Sequence, residues 1–202
     1  VTRRSSAAVA VGSGMALALL VAVPGPAEAK VLLCRGSVVT IDLSDPDAPN
    51  PNRDRKDVVL GTEGRDVIRT GGGNDEVYGG PDDDTLASYG GDELLDGGTG
   101  QYLAIFDFDE MTVGAVVDLA IVGPQDTVGA GTDALVAIED LWGSRYDDVL
   151  RGDAGPNVIE GFEGDDVLEG RDGDDRLDGG RGTNTCDGGP GTNQVLNCVV
   201  PD

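Results

Sequence analysis

The sequence predicts an all-β chain, a parallel β-roll (β-solenoid) of nine-residue repeats in two arrays joined by a β-rich linker. Three observations predict it. Glycine and apolar residues recur in register every nine residues, and an acid or amide stands between them in nearly every unit. Glycine makes up 33 of 202 residues, about 16% against a usual ~7%.

Counted in nines from Gly61, five units run to Ile105, and six more run from Gly143 to Leu196. The fourth place is glycine in nine of the eleven units, Asp82 and Tyr146 being the exceptions. The sixth place reads Asp66, Asp75, Asp84, Glu93 and Tyr102, then Asp148, Asn157, Asp166, Asp175, Asn184 and Asn193. The eighth place is apolar throughout, from Ile68 to Val195. Glycine tolerates positive φ, so the first six residues of a unit turn tightly. The last three, with an apolar centre, form a short strand that points one side chain inward. A turn and a strand every nine residues wind the chain into a parallel solenoid, with the eighth-place residues as its core. That core is thin, and the turns line up carboxylates that repel one another. A cation offsets both.

Taken in chain order, residues 1–29 read as a signal peptide. Arg3 and Arg4 give a basic start, Ala7 to Val23 an apolar run, and Ala27-Glu28-Ala29 a small-x-small cleavage site. Removing them leaves 173 residues at net charge −25, against −24 for the whole chain. Residues 30–60 hold a strand at Val38 to Leu43, a Pro/Asn/Asp loop from Asp45 to Asp57, and a half repeat, Asp57-Val-Val-Leu60. Residues 61–105 form the first array, which Tyr102 ends by replacing the sixth-place acid. Residues 106–142 form the linker, with apolar pieces at Val113 to Ile121 and Ala134 to Ile138, and Trp142 as a packed aromatic at its edge. Residues 143–202 carry the second array and a C-terminal cap. Three cysteines in an exported chain allow one disulfide. Cys186–Cys198 would staple the end of the chain, whereas Cys34 with either of them would join the two ends.

The units Thr70-Gly-Gly-Gly-Asn-Asp-Glu-Val-Tyr78, Gly161-Phe-Glu-Gly-Asp-Asp-Val-Leu-Glu169 and Gly170-Arg-Asp-Gly-Asp-Asp-Arg-Leu-Asp178 resemble the RTX (hemolysin-type) calcium-binding repeat, GGxGxDxUx. The stretch Gly131 to Ser144 resembles the linker that precedes such arrays and is expected to continue the β-stack. Calcium is a hard ion that takes six to eight carboxylate and carbonyl oxygens at ~2.3–2.6 Å. In that family alternate turns stack on one edge, and each ion lies between loop n and loop n+2. The resemblance implies carboxylate ligands at Asp66, Asp75, Asp84, Asp148, Asp166 and Asp175, and carbonyl ligands at Gly64, Gly73, Gly164 and Gly173. Asp57 completes a site with Asp75. Roughly six to eight ions follow, and seven would bring the mature chain to about −11. Several units depart from the pattern: Tyr89, Phe162 and Arg171 replace the second glycine, and Asn184 and Asn193 remove charge from the tail.

The composition excludes other functions. With no histidine there is no Ser/His/Asp triad, no HExxH zinc site and no imidazole base, and no GxSxG signature appears. Fourteen basic residues against 38 acidic ones argue against nucleic acid and against anionic membrane as partners. Paired acids such as Asp165 and Asp166 are explained by the repeat, since adjacent strand residues face opposite ways. The expectation is a secreted, extracellular, non-catalytic protein that folds on calcium. The competing expectation is a calcium-dependent adhesion or carbohydrate-binding module with an extracellular glycan or protein partner.

Overall fold

A computed structural model describes residues 56–87, 90–106 and 111–201, together with five short strands before them. These are β1 (Val21–Val23), antiparallel to β2 (Ala29–Val31); β3 (Leu33–Cys34), antiparallel to β4 (Ser37–Val38); and β5 (Ile41–Asp42). Apart from these strands, the expected signal peptide lies outside the described residues. So do Tyr89 and the polar loop up to Arg55. Among the described residues there is no α-helix, hence none long and apolar enough to cross a membrane.

Because each unit gives six residues to its turn, three remain for a strand, and successive strands fall alternately on two faces. On one face lie β6 (Val58–Leu60), β8 (Glu76–Pro81), β10 (Leu94–Thr99) and β14 (Thr132–Val136), running parallel from β5. The other face is one unbroken parallel sheet of seven strands. It holds β7 (Val67–Arg69), β9 (Thr85–Ala87), β11 (Leu103–Ile105), β15 (Asp140–Trp142), β17 (Val158–Glu160), β19 (Arg176–Asp178) and β21 (Gln194–Leu196). The first face resumes with β12 (Val116–Asp118), β16 (Val149–Arg151), β18 (Val167–Glu169) and β20 (Thr185–Asp187).

Within each array the register is two nonads. Val59 pairs with Val77 and Val77 with Leu95; Ile68 pairs with Leu86 and Leu86 with Ala104; Leu150, Leu168 and Cys186 follow one another in the same way. All these side chains point inward and are 0–3% exposed. They form two apolar ladders that face each other across the roll.

Between the arrays the register changes but the sheet does not end. Strands β10 and β11 pair with β14 and β15, across 40 and 37 residues instead of 18. Leu135 and Leu141 thereby enter the ladders. The intervening chain makes a hairpin in which the short β13 (Gln125–Asp126) runs antiparallel to β14, while β12 stacks under β16. The core is therefore wider here than eighth-place residues alone provide. Tyr102, Phe106, Met111, Ala115, Ala130 and Ile138 fill it, each at most 5% exposed. The arrays are one continuous stack.

The backbone keeps the turn conformation even where glycine is lost. Asp82, Phe162 and Arg171 hold φ of 76°, 75° and 74°, values that suit glycine better. Phe162 gains a packing partner there, meeting Trp142 edge-on with ring centroids 5.4 Å apart. At the C-terminus Cys186 and Cys198 form the disulfide, with Cα atoms 5.6 Å apart. The tail adds one more rung beside β20, as the N–H of Cys186 donates to Val199 O (3.0 Å) and the N–H of Val199 to Asn184 O (2.7 Å).

Strand side chains alternate between the ladder and the surface, so neighbouring truncations separate sharply. Leu168→Ala, at 0% exposure, is expected to cost ~2–5 kcal/mol. Val167→Ala, at 37% exposure, is expected to cost less than about 1 kcal/mol. Denaturant unfolding midpoints of the two variants check this, and equal midpoints would refute the inward assignment.

Candidate metal centre

The 18-residue register stacks the sixth-place residues in two rows, one along each edge of the roll. Asp57, Asp75 and Glu93 precede strands of one face, and Asp66, Asp84 and Tyr102 precede strands of the other. Successive members are joined by a repeated hydrogen bond from a backbone N–H to the acid two turns on. Asp57 donates to Asp75 Oδ1 (2.8 Å), Asp66 to Asp84 Oδ1 (2.8 Å), Asp148 to Asp166 Oδ1 (2.9 Å) and Asn157 to Asp175 Oδ1 (2.9 Å). The other carboxylate oxygen turns into the loop against the first glycine of its own unit. A Cβ on Gly79 would stand 2.6 Å from Asp84 Oδ2, and Gly161 and Gly170 stand still closer to Asp166 and Asp175. In these three turns a side chain at the first place would meet the carboxylate, whereas beside Asp75 that place is the buried Thr70.

That inner oxygen is where the chemistry lies. Oδ2 of Asp84, Asp166 and Asp175 is buried and accepts no hydrogen bond, and Oδ2 of Asp75 is equally buried, with the Thr70 hydroxyl near its carboxyl. A buried anionic oxygen without a donor is costly. Burial pushes the Asp166 carboxyl up to about 7, opposed by the Asp148 N–H and reinforced by the charges of Asp148, Asp147 and Asp165. Burial likewise holds Asp75, Asp84 and Asp175 above the ordinary carboxylate range. The loops add backbone acceptors: the carbonyl oxygens of Gly73, Gly164 and Gly173 point along the stack at Gly91, Gly182 and Gly191.

Two predicted ligands sit differently. Asp66 Oδ2 accepts the N–H (2.6 Å) and hydroxyl (3.0 Å) of Thr62. Asp148 Oδ2 accepts the Ser144 N–H (2.6 Å), and its Oδ1 the Ser144 hydroxyl (2.9 Å). Both caps come from the second place, which is glycine in five of the eleven units. The Gly64 carbonyl lies in the same cap, 3.1 Å from the Thr62 hydroxyl, whose single hydrogen it shares with Asp66. The adjacent acids divide as alternation requires, since Asp165 is exposed while Asp166 is 1% exposed. They do not converge as a dyad.

The rows also contain acids that the nonad count passes over. Glu93, 3% exposed, is followed in its row by Asp133, 0% exposed. The Glu93 N–H donates to Asp133 Oδ1 (3.0 Å), and the Thr127 hydroxyl to Asp133 Oδ2 (2.6 Å). Burial raises the Asp133 carboxyl. In the other row Glu139 Oε2 accepts the N–H of Tyr102 (2.8 Å). The signal for Asp133 is in the sequence, because Gly131-x-Asp133-x-Leu135 repeats the spacing of the fourth, sixth and eighth places. Glu139 carries one too, since it stands nine residues before Asp148 and Leu141 nine before Leu150, where a unit counted back from Gly143 would place them.

Among the described residues no group of three or more carboxylate, thiol or imidazole side chains converges. The donor set is one or two carboxylates with backbone carbonyls. It suits a hard cation that accepts both kinds of oxygen, not a thiolate- or imidazole-bound metal.

A parallel roll with acid-bearing glycine turns at two-nonad spacing defines the chain as a β-roll of the nonapeptide-repeat class. Compared with family models, residues 53–86, 142–172 and 160–195 match the RTX calcium-binding nonapeptide repeat (4 copies). The chain carries RTX calcium-binding repeats wound as a β-roll. No curated protein matches it.

The raised carboxyls set a pH dependence. Between an ordinary aspartate value of 3.8 and about 7, the folded chain binds more protons at Asp166 than the unfolded chain does. Stability without metal therefore falls as pH rises through that window. In chelator, the far-UV β-signal is expected to grow on acidification from about pH 8 to about pH 5. A β-signal that shrinks over that range would contradict this.

Proposed function

We propose that this is a secreted, non-catalytic calcium-binding protein whose roll is stabilised by ions held in its acid-bearing turns. The observation that carries the reading is the set of buried, donor-less Oδ2 atoms on Asp84, Asp166 and Asp175, joined by that of Asp75. In this reading the carboxylate ligands are Asp57, Asp66, Asp75, Asp84, Asp148, Asp166 and Asp175. Gly64, Gly73, Gly164 and Gly173 supply carbonyls. Ions that bind the folded roll and not the dispersed chain stabilise it by linkage. The export sequence at residues 1–29 and the extracellular setting fit a site filled at ~10⁻⁴–10⁻³ M calcium.

The test is a calcium titration by calorimetry with parallel circular dichroism. A largely disordered chain is expected in chelator and a β-signal in millimolar calcium. Asp166→Asn is expected to remove about one ion from the stoichiometry. The same β-signal with and without chelator at neutral pH would refute calcium-dependent folding.

A further inference from the structure

Two kinds of sixth-place residue stand apart from the capped Asp66 and Asp148 and from Asn157, whose Nδ2 donates to Glu139 O (2.7 Å) while its Oδ1 accepts the Asp153 N–H (3.0 Å). At Asp84, Asp166 and Asp175 one oxygen receives a backbone N–H and the inner oxygen has no donor. At Asn184 and Asn193 the first contact is unchanged: Asn184 Oδ1 accepts the N–H of Asp166 (2.9 Å) and Asn193 Oδ1 that of Asp175 (2.8 Å). Those N–H donors fix the amide orientation, because only the oxygen can face them. The NH₂ group is thereby turned inward, and it donates to carbonyls: Asn184 Nδ2 to Asn197 O (3.1 Å), and Asn193 Nδ2 to Gly188 O (2.8 Å) and Gly189 O (2.9 Å). Tyr102 reaches the same end by other means. Its ring, 0% exposed, lies against Gly97 in the cradle that other turns give to a carboxylate, and its hydroxyl donates to Gly80 O.

We propose that Asn184, Asn193 and Tyr102 are built-in cation surrogates, rungs in which a side-chain N–H or O–H donor takes the part that an ion takes beside the aspartates. The roll then has two tiers. The turns of Asp75, Asp84, Asp166 and Asp175 require a cation, and the last two turns, with Asn184 and Asn193, hold without one. This deepens the calcium reading and rests on it, because it assigns which turns calcium controls.

Asparagine and aspartate have the same shape, so Asn184→Asp exchanges the donor for a bare oxygen and adds the negative charge that a cation would balance. The full chain and this variant are compared by hydrogen exchange in chelator and by calcium calorimetry, with the Cys186–Cys198 disulfide present in both. In chelator, the wild-type amides of β20 and β21 are expected to exchange at least about tenfold more slowly than those of β16 and β18. N184D is expected to lose that protection, to regain it in calcium, and to bind about one ion more than wild type. Tyr102→Phe, which keeps the ring and removes the donor, is expected to speed exchange at β11 in chelator without changing the ion count. Wild-type β20 exchanging as fast as β18 in chelator overturns the proposal. So does an N184D that keeps its protection there or gains no ion. A wild type that gives no calcium heat and exchanges identically with and without calcium overturns the calcium reading itself.

Discussion

A carboxylate has two oxygens, and the turns of Asp84, Asp166 and Asp175 provide a backbone donor for only one of them. From this mismatch much of the structure follows. The donor is the N–H of the sixth-place residue two units earlier, so satisfying Oδ1 locks turns in pairs at 18-residue spacing and places alternate units on opposite edges. The unsatisfied Oδ2 needs space within its own loop, and that space is why Gly79, Gly161 and Gly170 carry no side chain. The inward ladder is then set by short strands following those turns, with Leu86, Leu168 and Leu177 each at 0% exposure. Packing and electrostatics thus oppose each other within two residues of chain. The eighth place gains from burial, and the sixth place loses by it.

Where the period held, the sequence was legible to the level of individual residues. The ladder from Ile68 to Val195, the pairing of Asp57 with Asp75, and the Cys186–Cys198 bridge were all readable from spacing, the last as one of three pairings. Legibility failed where a contact depends on phase and not on period. Asp133 and Glu139 stand in the two rows only six residues apart: a count of nines back from Gly143 reaches Glu139, but no count from Gly61 or Gly143 reaches Asp133. Thr62 and Ser144 look like mere departures from glycine at the second place, but they cap Asp66 and Asp148. Phe162 and Arg171 also look like lost glycines, although the backbone keeps positive φ at both. Residue type alone does not say whether a turn has relaxed or has been held by packing.

Arg171 shows how such a turn is held. Its guanidinium donates to both oxygens of Asp118 at 2.6 Å and to Gly152 O at 2.7 Å. This pairing keeps the Asp118 carboxyl below its ordinary range against the opposing effect of burial. The side chains are 32% and 17% exposed, so the pair is partly screened, but its bidentate geometry makes it stronger than a typical surface ion pair. Asp118 ends β12, the strand that the linker hairpin inserts into the interrupted face. Arg171 therefore ties the inserted hairpin to the second array, while the seven-stranded sheet passes through without a break. The linker is thus a graft into the stack at its middle.

The choice of aspartate over asparagine carries the last step. At Asn184 and Asn193 the amide fills the same cradle and accepts the same backbone N–H as an aspartate would, and it also satisfies backbone carbonyls. A roll built on asparagine throughout would need no ion and would bear far less charge. This chain instead sets bare carboxylates through both arrays and brings the whole to −24, which opposes the compact state. Neutral rungs are placed at the disulfide-closed end, at Asn157 within the second array and, through Tyr102, beside the linker. Such a distribution forgoes stability in the absence of a cation, and the loss is greatest in the turns whose carboxylates have no other partner. On the proposed calcium reading, the acidity is what makes folding conditional on the ion, and the amides and the phenol mark where that condition is lifted.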